Sequence, residues 1–131
     1  MECIYLNMYK KNVGMIGLGS WGKNIYRNLE ALNVLKKIYD TNTEILNNTV
    51  TFKKKIAKNA DEIILSNDID SIFIASPADT HKNYIIKSLL NYKNVFVEKP
   101  LALTQKKLDE ISNKFKEIRS LGLNIELSNL N

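Results

Sequence analysis

Cysteine, histidine and arginine are nearly missing from this chain, and each scarcity narrows what it can be. The single cysteine, Cys3, excludes an intramolecular disulfide and fits a reducing compartment such as the cytoplasm. It stands in the first ten residues, which read as a tail, and so is not read as a catalytic thiol. One histidine, His81, beside that one cysteine leaves neither zinc-ligand spacing nor a catalytic triad, and no metal site is expected. Two arginines stand against 17 lysines, so the net charge of +5 is almost all lysine. Nucleic-acid binders usually cluster Arg and Lys with aromatic side chains for stacking. The one dense basic run here is Lys53-Lys54-Lys55, with Lys58 further on. It is read as the solvated face of a helix whose opposite face holds Ile56, Ala60, Ile63 and Ile64, and no nucleic-acid partner is expected. Apolar runs long enough to span a bilayer are lacking. Met1 to Asn7 show no basic n-region, long apolar stretch or cleavage site, so no signal peptide is read there. The abundance of Asn, Lys, Ile and Tyr is a bias of the whole sequence and points to no partner. What remains is globular: 131 residues, 44% hydrophobic and 25% charged, which fits a tail over 1–10 and one domain over 11–131.

Glycine is also scarce, and three of the five stand as Gly17-Leu18-Gly19-Ser20-Trp21-Gly22 behind the apolar run Val13-Gly14-Met15-Ile16. An apolar strand, a G-x-G-x-x-G and an amphipathic segment in succession are what a dinucleotide site requires. The first glycine makes the tight turn, the second lets backbone approach a pyrophosphate, and the third lets the helix pack against its strand. The helix then points free N–H groups and its positive dipole end at the phosphates. The helical face is read from Trp21 through Ile25, Leu29 and Leu32, spaced four, four and three. A second strand, Val34 to Tyr39, ends at Asp40, 18 positions beyond Gly22. An acidic residue about 20 positions past the fingerprint serves to bond the adenosine ribose hydroxyls. The other reading of Asp40 is a turn residue, because Asp40-Thr41-Asn42 is also good turn chemistry.

The rest of the chain alternates strands and helices. Strand one covers about 12–17 and its helix about 21–33; strand two covers about 34–40. Within 42–70, Asn47-Asn48 reads as an interruption, Val50-Thr51-Phe52 as a short strand, and 54–66 as helix. Ser71 to Ala75 is a buried strand stopped by Ser76-Pro77, followed by a helix over about 80–92. Asn94 to Val97 is another buried strand. A helix over about 104–119 carries Leu108, Ile111, Phe115 and Ile118 on one stripe and is capped by Gly122. Leu123, Ile125 and Leu127 alternate as a half-buried strand. Such apolar runs between helices imply an α/β fold, a doubly wound parallel sheet covered on both faces.

Two more motifs fall at strand ends, where an open parallel sheet places its ligand. They are Ala75-Ser76-Pro77-Ala78-Asp79-Thr80-His81 and Val97-Glu98-Lys99-Pro100. With these in view, the chain resembles the glucose–fructose oxidoreductase / inositol dehydrogenase family, often called Gfo/Idh/MocA. Members share strand–GxGxxG–helix, an acidic end to strand two, an Ala-Ser-Pro-like end to the next core strand with Thr-His shortly after, and Glu-Lys-Pro. All four occur here in order. The Glu-Lys-Pro with Leu101-Ala102-Leu103-Thr104 behind it is the most specific. The Trp of Gly19-Ser20-Trp21-Gly22-Lys23-Asn24 is similar to members that oxidise nucleotide sugars at C3.

The resemblance implies a Rossmann domain with NAD as cofactor. It places Gly17, Gly19, Ser20, Trp21 and Gly22 at the dinucleotide's phosphates, Asp40 and Thr41 at its ribose, and Ala75, Ser76 and Pro77 along its crevice. His81, Glu98 and Lys99 fall towards the nicotinamide side. Lys99 is the candidate catalytic residue: a lysine there could polarise a hydroxyl oxygen and help move its proton. Glu98 is expected to act mainly through its backbone, with an ion pair as the alternative. Pro100 often follows a cis bond in the family. For His81 the alternatives are a contact with the cofactor pocket and a bond to a nearby carbonyl. Trp21 is expected to pack in the core against the next strand, or else to shape the phosphate loop.

Family members continue for about 200 residues into a second α/β domain, which binds the sugar and supplies an Asp and a His that work with the lysine. The expectation is therefore a nucleotide-binding half without its substrate domain, inactive alone, meeting a sugar or nucleotide sugar only if that domain is supplied. Leu123, Ile125 and Leu127 would leave an edge or face through which copies could associate. The contrasting reading is a stand-alone regulatory nucleotide-sensing module. Such a module would carry the glycines and the acidic strand end but has no use for Glu-Lys-Pro or the Ser-Pro…Thr-His turn.

Overall fold

The computed structural model describes residues 11–120. Four strands, β1 (Val13–Ile16), β2 (Leu35–Tyr39), β3 (Ser71–Ile74) and β4 (Asn94–Val97), form one sheet in the order β2-β1-β3-β4, and every neighbouring pair is parallel. The chain leaves β1 to one side for β2 and returns across it to β3. The order therefore reverses between β1 and β3, where a doubly wound sheet opens its ligand crevice.

Alternation along β1 divides the core. Met15 joins Leu18, Tyr26, Leu29, Leu35, Ile38 and Leu46 under α1 (Ser20–Ala31) and α2 (Thr43–Thr49). Ile16 joins Ile63, Ile64, Ile72, Ile74, Ile85 and Ile111 under α3 (Ala60–Ile64), α4 (His81–Leu90) and α5 (Gln105–Ser120). Helices thus cover both faces, which is why the strands read as unbroken apolar runs. Phe73 and Phe96 stack with ring centroids 4.7 Å apart and so tie β4 to β3. Gly14 contributes through close approach: a Cβ there would lie 2.3 Å from Ile63 Cγ2, so α3 can seat against β1 only over a glycine.

Several local expectations are corrected. The buried stripe of α1 starts at Gly22, not Trp21, and runs through Tyr26 and Leu29 with Ile25 half-buried. Trp21 is 69% exposed and Leu32 68% exposed. The stripe begins with a residue that has no side chain, so counting apolar positions shifted the face by one. Asn47 and Asn48 lie inside α2, because Asn42 caps that helix by accepting from the Ile45 N–H at 3.1 Å. Val50–Phe52 is not a strand. The span 54–66 is not one helix either. Lys53–Lys55 make a 3-10 turn, Ile56 forms a single parallel bridge with Ile38, and α3 starts only after Asn59. Asn59 accepts from the Glu62 N–H at 2.9 Å, and Glu62 reaches back to the Lys58 N–H at 2.6 Å, a reciprocal cap readable as Asn-x-x-Glu. Lys54 and Lys58 are exposed, as expected of a solvated run, whereas Lys53 and Lys55 are bonded within the fold. Lys53 Nζ donates to the Val50 carbonyl at 2.7 Å, and Lys55 Nζ lies 2.5 Å from Glu30. The tail over 1–10, Gly122 and the strand read at Leu123 to Leu127 lie outside the described residues. Among the described residues no helix is long and apolar enough to cross a membrane.

Candidate functional site

The register of the sheet assembles the motifs. Tyr39, Ile16, Ile74 and Val97 are aligned across the four strands. The next residue of each strand is Asp40, Gly17, Ala75 and Glu98, so four segments distant in sequence end in one row at the carboxyl edge. The ladder carries into that row: Gly17 N–H donates to Tyr39 O at 2.8 Å, Ala75 N–H to Ile16 O at 2.8 Å, and Glu98 N–H to Ile74 O at 3.1 Å.

Gly17 makes the turn at the strand-order reversal. Its φ is +101°, and a Cβ there would lie 2.3 Å from Ser76 N and 2.4 Å from the Ala75 carbonyl carbon. The turn therefore runs directly against the end of β3. Gly19 is the opposite case. It is exposed, and a Cβ built on it meets nothing within 4 Å. Its missing side chain serves no internal packing; it leaves open space beside the start of α1. That helix has Gly19 at its N-cap, no side chain bonding its first N–H groups and no acidic residue in its first turn. The donors of Ser20 and its neighbours face the open end, an arrangement suited to a pyrophosphate. Gly22 packs inward, its Cβ position 3.1 Å from Gly17 O. Trp21 stands exposed on the first turn of α1, beside the glycine turn and outside the core.

Asp40 is the turn residue that one of its two readings has it as, and it makes a second bond besides. Its Oδ1 accepts from the Asn42 N–H at 2.8 Å, which is the expected turn, and its Oδ2 accepts from the Leu18 N–H at 2.7 Å, inside the glycine turn. Thr41 is exposed beside it. At the end of β3, Ser76 and Thr80 share a hydroxyl–hydroxyl bond at 2.7 Å, and Thr80 donates to Pro77 O at 2.6 Å, so the hydroxyl proton between them comes from Ser76. Pro77 is exposed on the rim. Thr80 and Leu18 were missed as site residues. The Thr80 bond follows from an ordinary turn pattern, whereas nothing in the sequence signals the Leu18–Asp40 bond.

His81 lies behind the crevice. It is 1% exposed, with Nε2 2.8 Å from Ser76 O and Nδ1 3.3 Å from Leu101 O. Of its two alternatives, the structure has the bond to carbonyls, and the ring is closed off from an entering ligand. A neutral imidazole donates through one nitrogen only, and the shorter contact to Ser76 is the better placed for it. The ring thereby holds the Ser76 carbonyl at the β3 turn, and Leu101, after Glu-Lys-Pro, packs beside its other nitrogen. Glu98 is half-buried, and burial pushes its carboxyl above the usual range while nearby His81 pulls the other way. No salt bridge involves Glu98 among the described residues. Lys99 is exposed at the carboxyl edge, next in the chain to the row residue Glu98, and its bond to Pro100 is cis. An exposed lysine at a strand end can reach a ligand above the row.

Comparison with known proteins agrees with this geometry. Residues 11–122 match the model of the Gfo/Idh/MocA family, described as an oxidoreductase family with an NAD-binding Rossmann fold. The chain is similar to an uncharacterized oxidoreductase of Streptococcus pneumoniae, 31% identical over 107 residues, covering 79% of this chain and 29% of that protein. It is similar as well to an inositol 2-dehydrogenase/D-chiro-inositol 3-dehydrogenase of Shouchella clausii, 34% identical over 98 residues, covering 70% of this chain and 28% of the relative. The chain thus spans less than a third of the length of these two relatives. Among solved structures, an NAD-binding protein from Listeria innocua superposes with a TM-score of 0.71 at 25% identity, over 84% of this chain and 33% of that one. With the family model covering most of its length, the chain belongs to the Gfo/Idh/MocA oxidoreductase family, and residues 11–122 match that family's NAD-binding Rossmann domain.

Proposed function

We propose that this chain is the NAD(H)-binding half of an oxidoreductase acting on a hydroxyl of a sugar or nucleotide sugar, and that by itself it binds the cofactor without turning over substrate. The observation that carries the reading is the alignment of Asp40, Gly17, Ala75 and Glu98 in one row at the strand-order reversal, with Lys99 exposed next to it. The open space at Gly19 and the uncapped start of α1 fit a pyrophosphate. Asp40 then receives the adenosine ribose hydroxyls, with Thr41 beside it, and favours NAD(H) because a carboxylate repels a 2′-phosphate. In this reading Ser20 donates to a phosphate and Trp21 lines the phosphate loop.

Bound NAD supplies a hydride acceptor. The protein's own part lies at the other end of the row. Lys99 Nζ polarises the substrate oxygen and helps move its proton. Glu98 lies at the cofactor's edge and acts chiefly through its backbone. Ser76 and Pro77 line the crevice, and His81 holds the β3 turn from behind.

One lysine cannot hold a sugar ring. Hydride transfer needs the reacting carbon within about 3–3.5 Å in an aligned geometry, and such positioning can supply roughly 7–11 kcal/mol of the barrier. Purified chain incubated with NAD and a panel of sugars, inositols and nucleotide sugars, followed by the absorbance of the reduced cofactor, is expected to show no appreciable turnover. A rate above about 1 s⁻¹, within the ordinary enzymatic range, would contradict the proposal by showing that the chain builds a substrate site unaided.

A further inference from the structure

Both oxygens of the Asp40 carboxylate bond the protein's own backbone. Oδ2 accepts from Leu18 at 2.7 Å and Oδ1 from Asn42 at 2.8 Å. Leu18 lies between the two glycines of the phosphate turn and is 0% exposed. The N–H just before it, that of Gly17, bonds the Tyr39 carbonyl. Strand β2 offers a backbone acceptor to the first donor of the turn, and the Asp40 side chain offers the acceptor to the second. Buried donors are costly to leave unpaired, and hydrogen bonds to a carboxylate are among the stronger ones. A carboxylate has about four acceptor positions; two are spent here, and the half-buried group keeps the others for hydroxyl donors outside.

We infer that Asp40 is a positioning residue for the phosphate turn as well as the selector of the ribose, so that phosphate and ribose recognition hang on one carboxylate. The ligand arm of this inference rests on the reading under Proposed function; the brace itself is a bond within the chain. It follows that removing the carboxylate narrows the preference between NADH and NADPH by weakening NADH, not by strengthening NADPH.

The test measures amide hydrogen exchange in the ligand-free wild type, Asp40→Ser and Asp40→Asn, together with binding of NADH, NADPH and 2′,3′-dideoxy-ADP. Exchange at Leu18 is read against Met15, a β1 amide in the same sample, so that global loosening cancels. The Leu18 to Met15 ratio is expected to rise at least about tenfold in Asp40→Ser. In Asp40→Asn, whose neutral amide oxygen accepts from Leu18 more weakly than a carboxylate does, the ratio is expected to rise several-fold, less than in the serine variant. Should the serine variant not fold, a rise in the asparagine variant at least severalfold above wild type supports the brace, and no rise overturns it. Dideoxy-ADP has no ribose hydroxyls for Asp40, so a ribose-only role leaves its affinity unchanged or improves it by removing a negative charge. The brace predicts a loss of at least about threefold for dideoxy-ADP and NADPH alike. Unchanged Leu18 exchange, or undiminished dideoxy-ADP binding, overturns the inference. If wild type binds no dinucleotide, the functional reading falls while the exchange ratio still decides the brace.

Discussion

Gly19→Val is expected to abolish dinucleotide binding while the protein stays folded. The two halves of this result have separate causes. A side chain at Gly19 meets no protein atom within 4 Å, and the residue is exposed and extended in backbone, with φ −73° and ψ −165°, so valine is accommodated without overlap. The same open space is where the first N–H groups of α1 point, and a branched side chain there stands between them and a phosphate. We expect NADH affinity to fall by at least about a hundredfold, since several charge-assisted hydrogen bonds to the phosphates are blocked at once. The melting temperature should move by no more than a few degrees. Calorimetric titration and thermal melting on the same sample read both. Retained affinity in the folded variant would move the phosphate site elsewhere.

Gly17→Ala, two residues away, is expected to fail in the opposite manner. Here φ is +101°, a region L-residues rarely adopt, and the new Cβ would sit 2.3 Å from Ser76 N and 2.6 Å from Ala75 O. Both neighbours are backbone at the end of β3, fixed by the Ala75 N–H to Ile16 O bond, so neither can swing aside as a side chain tip would. Backbone strain of about 1–3 kcal/mol adds to the overlap, and a total of about 3 kcal/mol or more would consume much of the stability of a domain this size. The prediction is a large loss in denaturant midpoint, with NADH binding lost as a consequence of unfolding. A Gly17→Ala protein as stable as wild type would show that the turn does not press against β3. Together the pair separates a glycine kept for a ligand from a glycine kept for the chain.

Most of the fold could be read from the sequence because its inner strands, β1 and β3, are buried on both faces, whereas β4, read as buried, is only half-buried. Val13–Ile16, Ser71–Ile74 and Asn94–Val97 are short unbroken apolar runs ended by glycine, Ser-Pro or Glu-Lys-Pro, and both the pattern and the punctuation survive in one dimension. The glycine spacing likewise announced the turn at Gly17. What misled was what a residue type cannot carry. The stripe of α1 starts on Gly22, so hydrophobic counting attached it to Trp21, which points outward. The segment 50–66 has apolar residues at helical intervals, yet Asn59 diverts it through capping, and the single bridge from Ile56 to Ile38 depends on a strand lying nearly 20 residues earlier. In the site, the residue types were legible but their mutual bonds were not. Asp40 was readable as a turn residue or a ribose ligand; its bond to Leu18 crosses 22 positions and appears only when β1 and β2 lie side by side. His81 was readable as a pocket residue or a carbonyl partner, and its bond to the Ser76 carbonyl, with Leu101 closing over its other nitrogen from 20 positions on, appears only in the fold.

The row ending at Asp40, Gly17, Ala75 and Glu98 is proposed to form an NAD(H) site in this chain by itself. Titration of the purified 131-residue chain with NADH and, separately, with NADPH tests it most directly. Saturable binding of one NADH per chain is expected, with NADPH bound at least several-fold more weakly because the Asp40 carboxylate would face its 2′-phosphate. Absence of saturable NADH binding, or tighter binding of NADPH, would contradict it.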